Sequence, residues 1–402
     1  MLVALAAALV VWQRPGHKSD DGVPAVVAIP PNATSVLNSQ FRALTAASTE
    51  KAFIAAAGGT RAARTFARNA WSAREALGAT RVELRYVTGG DVADRSDGSS
   101  VATVSVTWQP GKASGLASSP RHSSSVRFRM APQKGGTFAV VGAAADSAAL
   151  PIWLAGKLTV DRQPGLVVMR LDGGDNRQPV DAMVAEARAG VLRVVPHASG
   201  SLAVLSPHTQ EEMAQLVGQK VANVKQIAAV STQLDARGEP SAGSVIVLNP
   251  AVFATMDRRA AQVVLTHEAT HVLTKAVGTR AETWVVEGFA DFVALHDDSA
   301  GLSLSAGQIL AEVKAGDGPK HLPSAADFSA TKHGLGAVYE SAWMIFRLLA
   351  ATYGDAKVET FYAQVLGGKP LDRALSSSFG LTEAELTSRW RSYLAKSAST
   401  VS

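Results

Sequence analysis

Cysteine is absent from all 402 residues, so neither a disulfide framework nor a thiolate metal site can be built, and any metal must be held by His, Asp or Glu. Blocks of like charge are missing too. The 39 basic and 34 acidic residues are scattered along the chain without a run of five or six, so the formal +5 reads as solubility, and no nucleic-acid partner is expected. Charged residues make up only 18% of the chain against 47% hydrophobic, which is too apolar and too weakly charged for a disordered protein. At about twice the usual single-domain length, the chain has room for two domains, each with a core of its own.

The apolar segment at residues 1–12, MLVALAAALVVW, is shorter than the roughly 20 residues a spanning helix needs, and it lacks the basic residues that precede a signal core. Arg14, Lys18 and a polar, Pro-containing stretch to about Pro31 follow it. Residues 1–20 are read as a truncated signal-anchor, with a cleaved signal or a buried N-terminal element as the alternatives, and residues 21–38 as a linker. A signal or anchor places the remainder outside the cytoplasm, membrane-anchored or secreted.

From Ser39 to about Gly78, the residues Phe41, Leu44, Phe53, Phe66, Trp71 and Leu77 stand among many alanines, which predicts two helices broken at Gly58-Gly59. Strand signals follow. Val82, Leu84 and Tyr86 alternate with polar residues, as do Val104, Val106 and Trp108, then Val126, Phe128 and Met130, ahead of a continuous run from Phe138 to Val141. Helices followed by a meandering sheet make residues 39–150 an α+β domain, similar in its order of elements to the NTF2-like fold. From about Pro151 the texture turns helical, and residues 151–402 are read as a mostly helical domain with a small sheet from 202–205, 227–230 and 245–248. Thr382-x-x-Glu385 forms a capping box for the last helix.

The predicted helix 256–277 carries His267-Glu268-Ala269-Thr270-His271, an HExxH pattern. Histidines at i and i+4 lie one turn apart on one helix face, so both imidazoles reach one ion, while Glu268 faces the position of an attacking water. A catalytic zinc takes three protein ligands and leaves a fourth position for water. Separated from His271 by fifteen residues, Glu287 on the predicted helix 282–296 is offered as the third ligand. Asp291, at i+4 from Glu287, faces the same site and can accept the free ring proton of a ligand histidine, fixing its tautomer.

HEATH followed by WVVEGFADF resembles the gluzincin zinc peptidases, the superfamily of thermolysin and aminopeptidase N, and most of all its short peptidase MA-like branch. The resemblance spans roughly 191–394, with a somewhat shorter spacer between the two motifs than in those archetypes. It implies one Zn2+ per chain held by His267, His271 and Glu287, with Glu268 as general base and Asp291 bonded to His267. It also implies a peptide or protein substrate and hydrolysis of its peptide bond.

Two further elements belong to this reading. Tyr339, near the start of an apolar helix, is similar in placement to the tyrosine that stabilises the oxyanion in aminopeptidase-like gluzincins, with His333 in the loop before it as the alternative donor and core packing as the plain one. The strand 244–249 is expected to be the sheet edge that pairs with substrate, through Val245, Val247 and Asn249, although core packing accounts for them equally. No free-amine-binding motif precedes the HExxH helix, so an endopeptidase or unspecified peptidase is preferred over an aminopeptidase. The alternative function is a catalytically inactive cell-envelope scaffold. Retention of Glu268 speaks against it, because binding alone needs no base.

Overall fold

The computed structural model describes residues 31–90, 100–116, 121–144, 149–172, 179–234, 243–328 and 334–401. The apolar segment 1–12 and His333 lie outside the described residues. Among the described residues no helix is long and apolar enough to cross a membrane.

The N-terminal part contains α1 (Pro31–Ala46), α2 (Glu50–Ala57), α3 (Arg61–Ala76), β1 (Thr80–Gly90), β2 (Ser100–Gln109), β3 (His122–Pro132) and β4 (Phe138–Ala143). Where two helices were expected there are three, and α1 takes up residues 31–38 of the expected linker. Its Leu37, Phe41 and Leu44 recur at helical spacing and are all buried. Thr49 and Thr60 cap α2 and α3 by accepting from the backbone N–H of Ala52 and Ala63. Gly58 breaks the chain between them at φ 116°, and a Cβ there would lie 2.8 Å from the Cα of Ala139 on β4. The strands pair in the order β1-β2-β3-β4, all antiparallel, with inward residues such as Val104, Val126 and Phe128 alternating with exposed or half-buried polar ones.

The second part runs through β5 (Leu158–Gln163), β6 (Leu166–Leu171), α4 (Val180–Val194), β7 (Leu202–Ser206), α5 (Gln210–Leu216), α6 (Val221–Val224), β8 (Ala229–Gln233) and β9 (Ser244–Leu248). Helices α7 (Pro250–Phe253), α8 (Arg258–Leu273), α9 (Thr283–Ala294), α10 (Leu302–Ser305), α11 (Gly307–Ala315), α12 (Leu335–Tyr353), α13 (Asp355–Leu366), α14 (Leu371–Phe379) and α15 (Glu383–Thr400) complete it. The capping box at Thr382 and Glu385 forms as the sequence predicts. The molecule is of mixed helix and sheet. The five-stranded sheet has the order β5-β6-β7-β9-β8, parallel across β6, β7 and β9 and antiparallel at both edges.

The inner strands β6, β7 and β9 are buried on both faces and contribute to two core clusters. Leu166, Val168, Leu202, Val204, Ile246 and Leu248 pack with α4, α8, α9 and α12. Their alternate neighbours Val167, Met169, Ala203, Leu205, Val245 and Val247 belong to the other core, with α3, α5 and the inner face of the meander. Side chains on a strand point alternately to opposite faces, so one set of strands serves both cores, and the N-terminal layer and α5 together form the roof of the second sheet. Trp153 and Leu158, placed beyond the expected boundary at 150, belong to that same roof core.

Candidate metal centre

Helix α8 starts at Asp257, whose Oδ1 accepts from the Ala260 N–H at 2.8 Å, and it is buried on nearly every side. Its inward turn brings His267 and His271 together with their Nε2 atoms 3.0 Å apart. Helix α9 crosses it and delivers Glu287, whose Oε2 lies 3.2 Å from Nε2 of His267 and 3.6 Å from Nε2 of His271. The three residues are almost inaccessible, with exposures of 3%, 0% and 1% for His267, His271 and Glu287. Among the described residues they form the one His/Asp/Glu group arranged to hold a metal ion.

The donor set fits zinc in size and in chemistry. A tetrahedral zinc with bonds of about 2.0 to 2.1 Å spaces its ligand atoms about 3.3 to 3.4 Å apart. The three separations seen here, 3.0, 3.2 and 3.6 Å, bracket that value. His267 Nδ1 lies 2.7 Å from Oδ1 of Asp291, one turn beyond Glu287 on α9, so the neutral ring donates there and turns the lone pair of Nε2 toward the other two ligand atoms. Lone pairs converging in a dry site repel unless a cation sits among them. A proton is the small substitute: burial opposes charge on His267, but Asp291 and Glu287 outweigh it and hold its pKa well above the ordinary value. Burial would likewise push Glu287 up, yet the two histidines bring it down to about 2, so it is a carboxylate at every working pH.

Glu268 is fully buried beside the ligands, and neither carboxyl oxygen has a hydrogen-bond partner among the described residues. Burial raises its pKa, tempered by the neighbouring His271 and His267. The Ser231 hydroxyl donates to the backbone oxygen of Glu268 at 3.0 Å. Tyr339, on the first turns of α12, is 6% exposed; its ring centroid lies 6.3 Å from that of His267 and 5.1 Å, edge-on, from that of Phe328. Burial and the nearby Glu287, Asp291 and Glu268 keep its phenol well above its usual pKa, and therefore protonated.

Not every expected site residue reaches the centre. Strand β9, expected to be the edge, lies inside the sheet between β7 and β8, with Val247 opposite both Leu205 and Val230. Its Val245 and Val247 side chains face the roof core, on the side of the sheet away from α8. Asn249 is fully buried and spends its amide on structure: Nδ2 donates to the carbonyls of Val224 and Ile227, and Oδ1 accepts from the Ala251 N–H. The edge beside α8 is β8. The sequence carried a weak sign of it, the apolar run 227–230, but nothing to say which strand would end the sheet.

Sequence reasoning also passed over Gly288, where the backbones of α9 and α12 touch. A Cβ there would stand 2.6 Å from the carbonyl oxygen of Ala342 and 2.9 Å from Cδ2 of Phe346. Glu340, next to Tyr339, accepts from the Ile309 N–H at 2.8 Å and ties α12 to the start of α11, and burial pushes its carboxyl up to about 7.

Across the chain as a whole, two solved structures show a distant similarity. One is a two-domain M1 zinc metallopeptidase variant bound to L-arginine, 12% identical, with 65% of this chain and 58% of that chain covered at a TM-score of 0.37. The other is an M1 zinc metallopeptidase from Deinococcus radiodurans, 12% identical, with 79% and 61% covered at a TM-score of 0.36. The chain thus spans less than two thirds of the length of either. No protein-family model and no curated protein matches it.

Proposed function

We propose that this chain is a zinc-dependent peptidase that hydrolyses peptide bonds of an extracytoplasmic peptide or protein, with His267, His271 and Glu287 holding the metal. The observation that carries the reading is the buried triangle of three donor atoms next to a carboxylate that has no partner of its own. Bound zinc supplies Lewis acidity, polarising the scissile carbonyl and acidifying water.

The protein's own groups do the rest. Glu268 takes the proton of the attacking water and passes it to the leaving amine; its raised pKa suits it to hold that proton between the two transfers. The protonated phenol of Tyr339 donates to the oxyanion, and the dry surroundings strengthen that bond. His267 is kept in one tautomer by Asp291. An extended substrate backbone pairs along the edge strand β8.

The test is zinc content and peptide hydrolysis measured on the wild type and on Glu268→Gln. The variant is expected to keep its zinc and lose about 10²- to 10⁴-fold in kcat. Equal absence of activity in both proteins, with zinc bound to both, would leave a metal-stabilised scaffold as the function.

A further inference from the structure

We propose that Ser231 is a positioning residue whose hydroxyl pins the edge strand β8 to the turn of α8 that carries Glu268, and so fixes how far a substrate backbone lies from the general base. The proposal rests on the peptidase reading. Along β8 the side chains alternate: Ala229 joins the core on the helix side, Val230 joins the roof core, and Ser231 returns to the helix side, 4% exposed. There its Oγ donates to the backbone oxygen of Glu268 at 3.0 Å. Gln233, two residues on and on the same face, repeats the device, with Nε2 donating to the Val277 carbonyl at 3.3 Å.

The Glu268 carbonyl does not need this bond. It lies inside α8, where the helix ladder supplies its partner, and the serine occupies the second lone pair. What the bond adds is a fixed offset between strand and helix. The ladder to β9, with Ser231 opposite Ile246, holds β8 sideways in the sheet, but a ladder along one edge leaves the strand able to tilt toward or away from α8. Ser231 removes that freedom at the residue between the two ligand histidines. Because the helix stays satisfied without the hydroxyl, losing it should disturb alignment more than folding.

The experiment compares wild type, Ser231→Ala, Ser231→Thr and Ser231→Val as zinc-loaded full chains. The assay substrate is a fluorescence-quenched peptide selected from a library with the wild type. Alanine and valine are expected to lower kcat about tenfold or more with KM changed less than threefold and zinc content unchanged. Threonine, the same size as valine but with a hydroxyl, restores kcat. Hydrogen exchange read by mass spectrometry supplies the second arm: the 229–233 amides exchange faster in alanine and valine than in wild type and threonine. Unchanged exchange together with unchanged kcat in alanine and valine overturns the pin, as does valine matching threonine. A wild type that binds zinc and cleaves no library peptide overturns the peptidase reading and with it the catalytic role, while the exchange arm still reports on the strand.

Discussion

Gly288→Ala tests the joint on which the site is assembled. The added Cβ would meet the Ala342 carbonyl oxygen at 2.6 Å, its carbon at 2.8 Å and Phe346 Cδ2 at 2.9 Å, whereas ordinary contact begins near 3.4 Å. Two of the three obstacles are backbone, so the relief must come from separating α9 and α12 by about 0.5 to 0.8 Å. Overpacking of this kind costs about 1 to 3 kcal/mol, and the helix propensity gained by replacing glycine offsets up to about 1 kcal/mol. The net is a melting temperature lower by a few degrees and a folded protein.

Activity should suffer more, because the joint lies beside the chemistry. Glu287 precedes Gly288 directly, and Ala342 is one turn along α12 from Tyr339, so opening the crossing moves the proposed metal ligand away from the proposed oxyanion donor. Displacement of a reacting group by about 1 Å is worth about 10²-fold in rate. We expect Gly288→Ala to lower kcat/KM on a peptide substrate by about 10- to 100-fold while zinc still binds. Gly307→Ala, in α11 where a Cβ meets nothing within 4 Å, is the control, and it should leave activity unchanged and the melting temperature unchanged or slightly raised. A Gly288→Ala protein with wild-type activity and melting temperature would show that the two helices do not meet at this carbonyl, and the account of how the site is held would fail.

Asp291→Asn removes the carboxylate charge on His267 Nδ1, and zinc affinity measured by chelator competition should drop about 10- to 100-fold. A chain starting at residue 151 should aggregate, because removing the N-terminal layer takes away its share of the roof, including the cover over Val167; a monomeric, zinc-binding product in size-exclusion chromatography would refute the shared core. Glu340→Gln probes pH. The folded-state pKa of about 7 lies above the ordinary 4.5, so the wild type is favoured while the carboxyl is neutral and loses up to about 3 kcal/mol as pH rises from 4.5 through 7. The melting temperature of Glu340→Gln should therefore fall less between pH 5 and 8 than that of the wild type, and parallel curves would show that this carboxyl does not drive the change.

How much of this was legible in the sequence follows from the range of each interaction. The His267–His271 spacing, the i+4 relation of Glu287 to Asp291 and the capping box at Thr382 are all set within one helix, where 3.6 residues per turn decides who faces whom. The alternation at 82–86, 104–108 and 126–130 likewise announced strands whose two faces differ. The second sheet was read poorly because its strands are buried on both sides. An evenly apolar run such as 244–248 gives no sign of which neighbour sits on which edge, so β9 was expected at the edge that β8 occupies. Leu158–Gln163 and Leu166–Leu171 were missed for the related reason that a short hairpin strand owes its existence to the layers above and below it. Gly288 and Ser231 act through backbone atoms of distant elements, and no local pattern records such a contact.

Glu268 separates an active hydrolase from a metal-stabilised scaffold more sharply than the ligands do. A buried carboxyl without hydrogen bonds is costly, and a protein that kept only the metal for stability would gain from replacing it with an uncharged residue. Here the surrounding polar groups are committed elsewhere: Asp291 to His267, Glu287 toward the two histidine Nε2 atoms, and the Ser231 hydroxyl to the backbone of Glu268 itself. Both oxygens of Glu268 are left without a hydrogen-bond partner among the described residues. A base saturated with hydrogen bonds could not take up a further proton without breaking one, so the unfilled valence that weakens the fold is the property proton transfer requires.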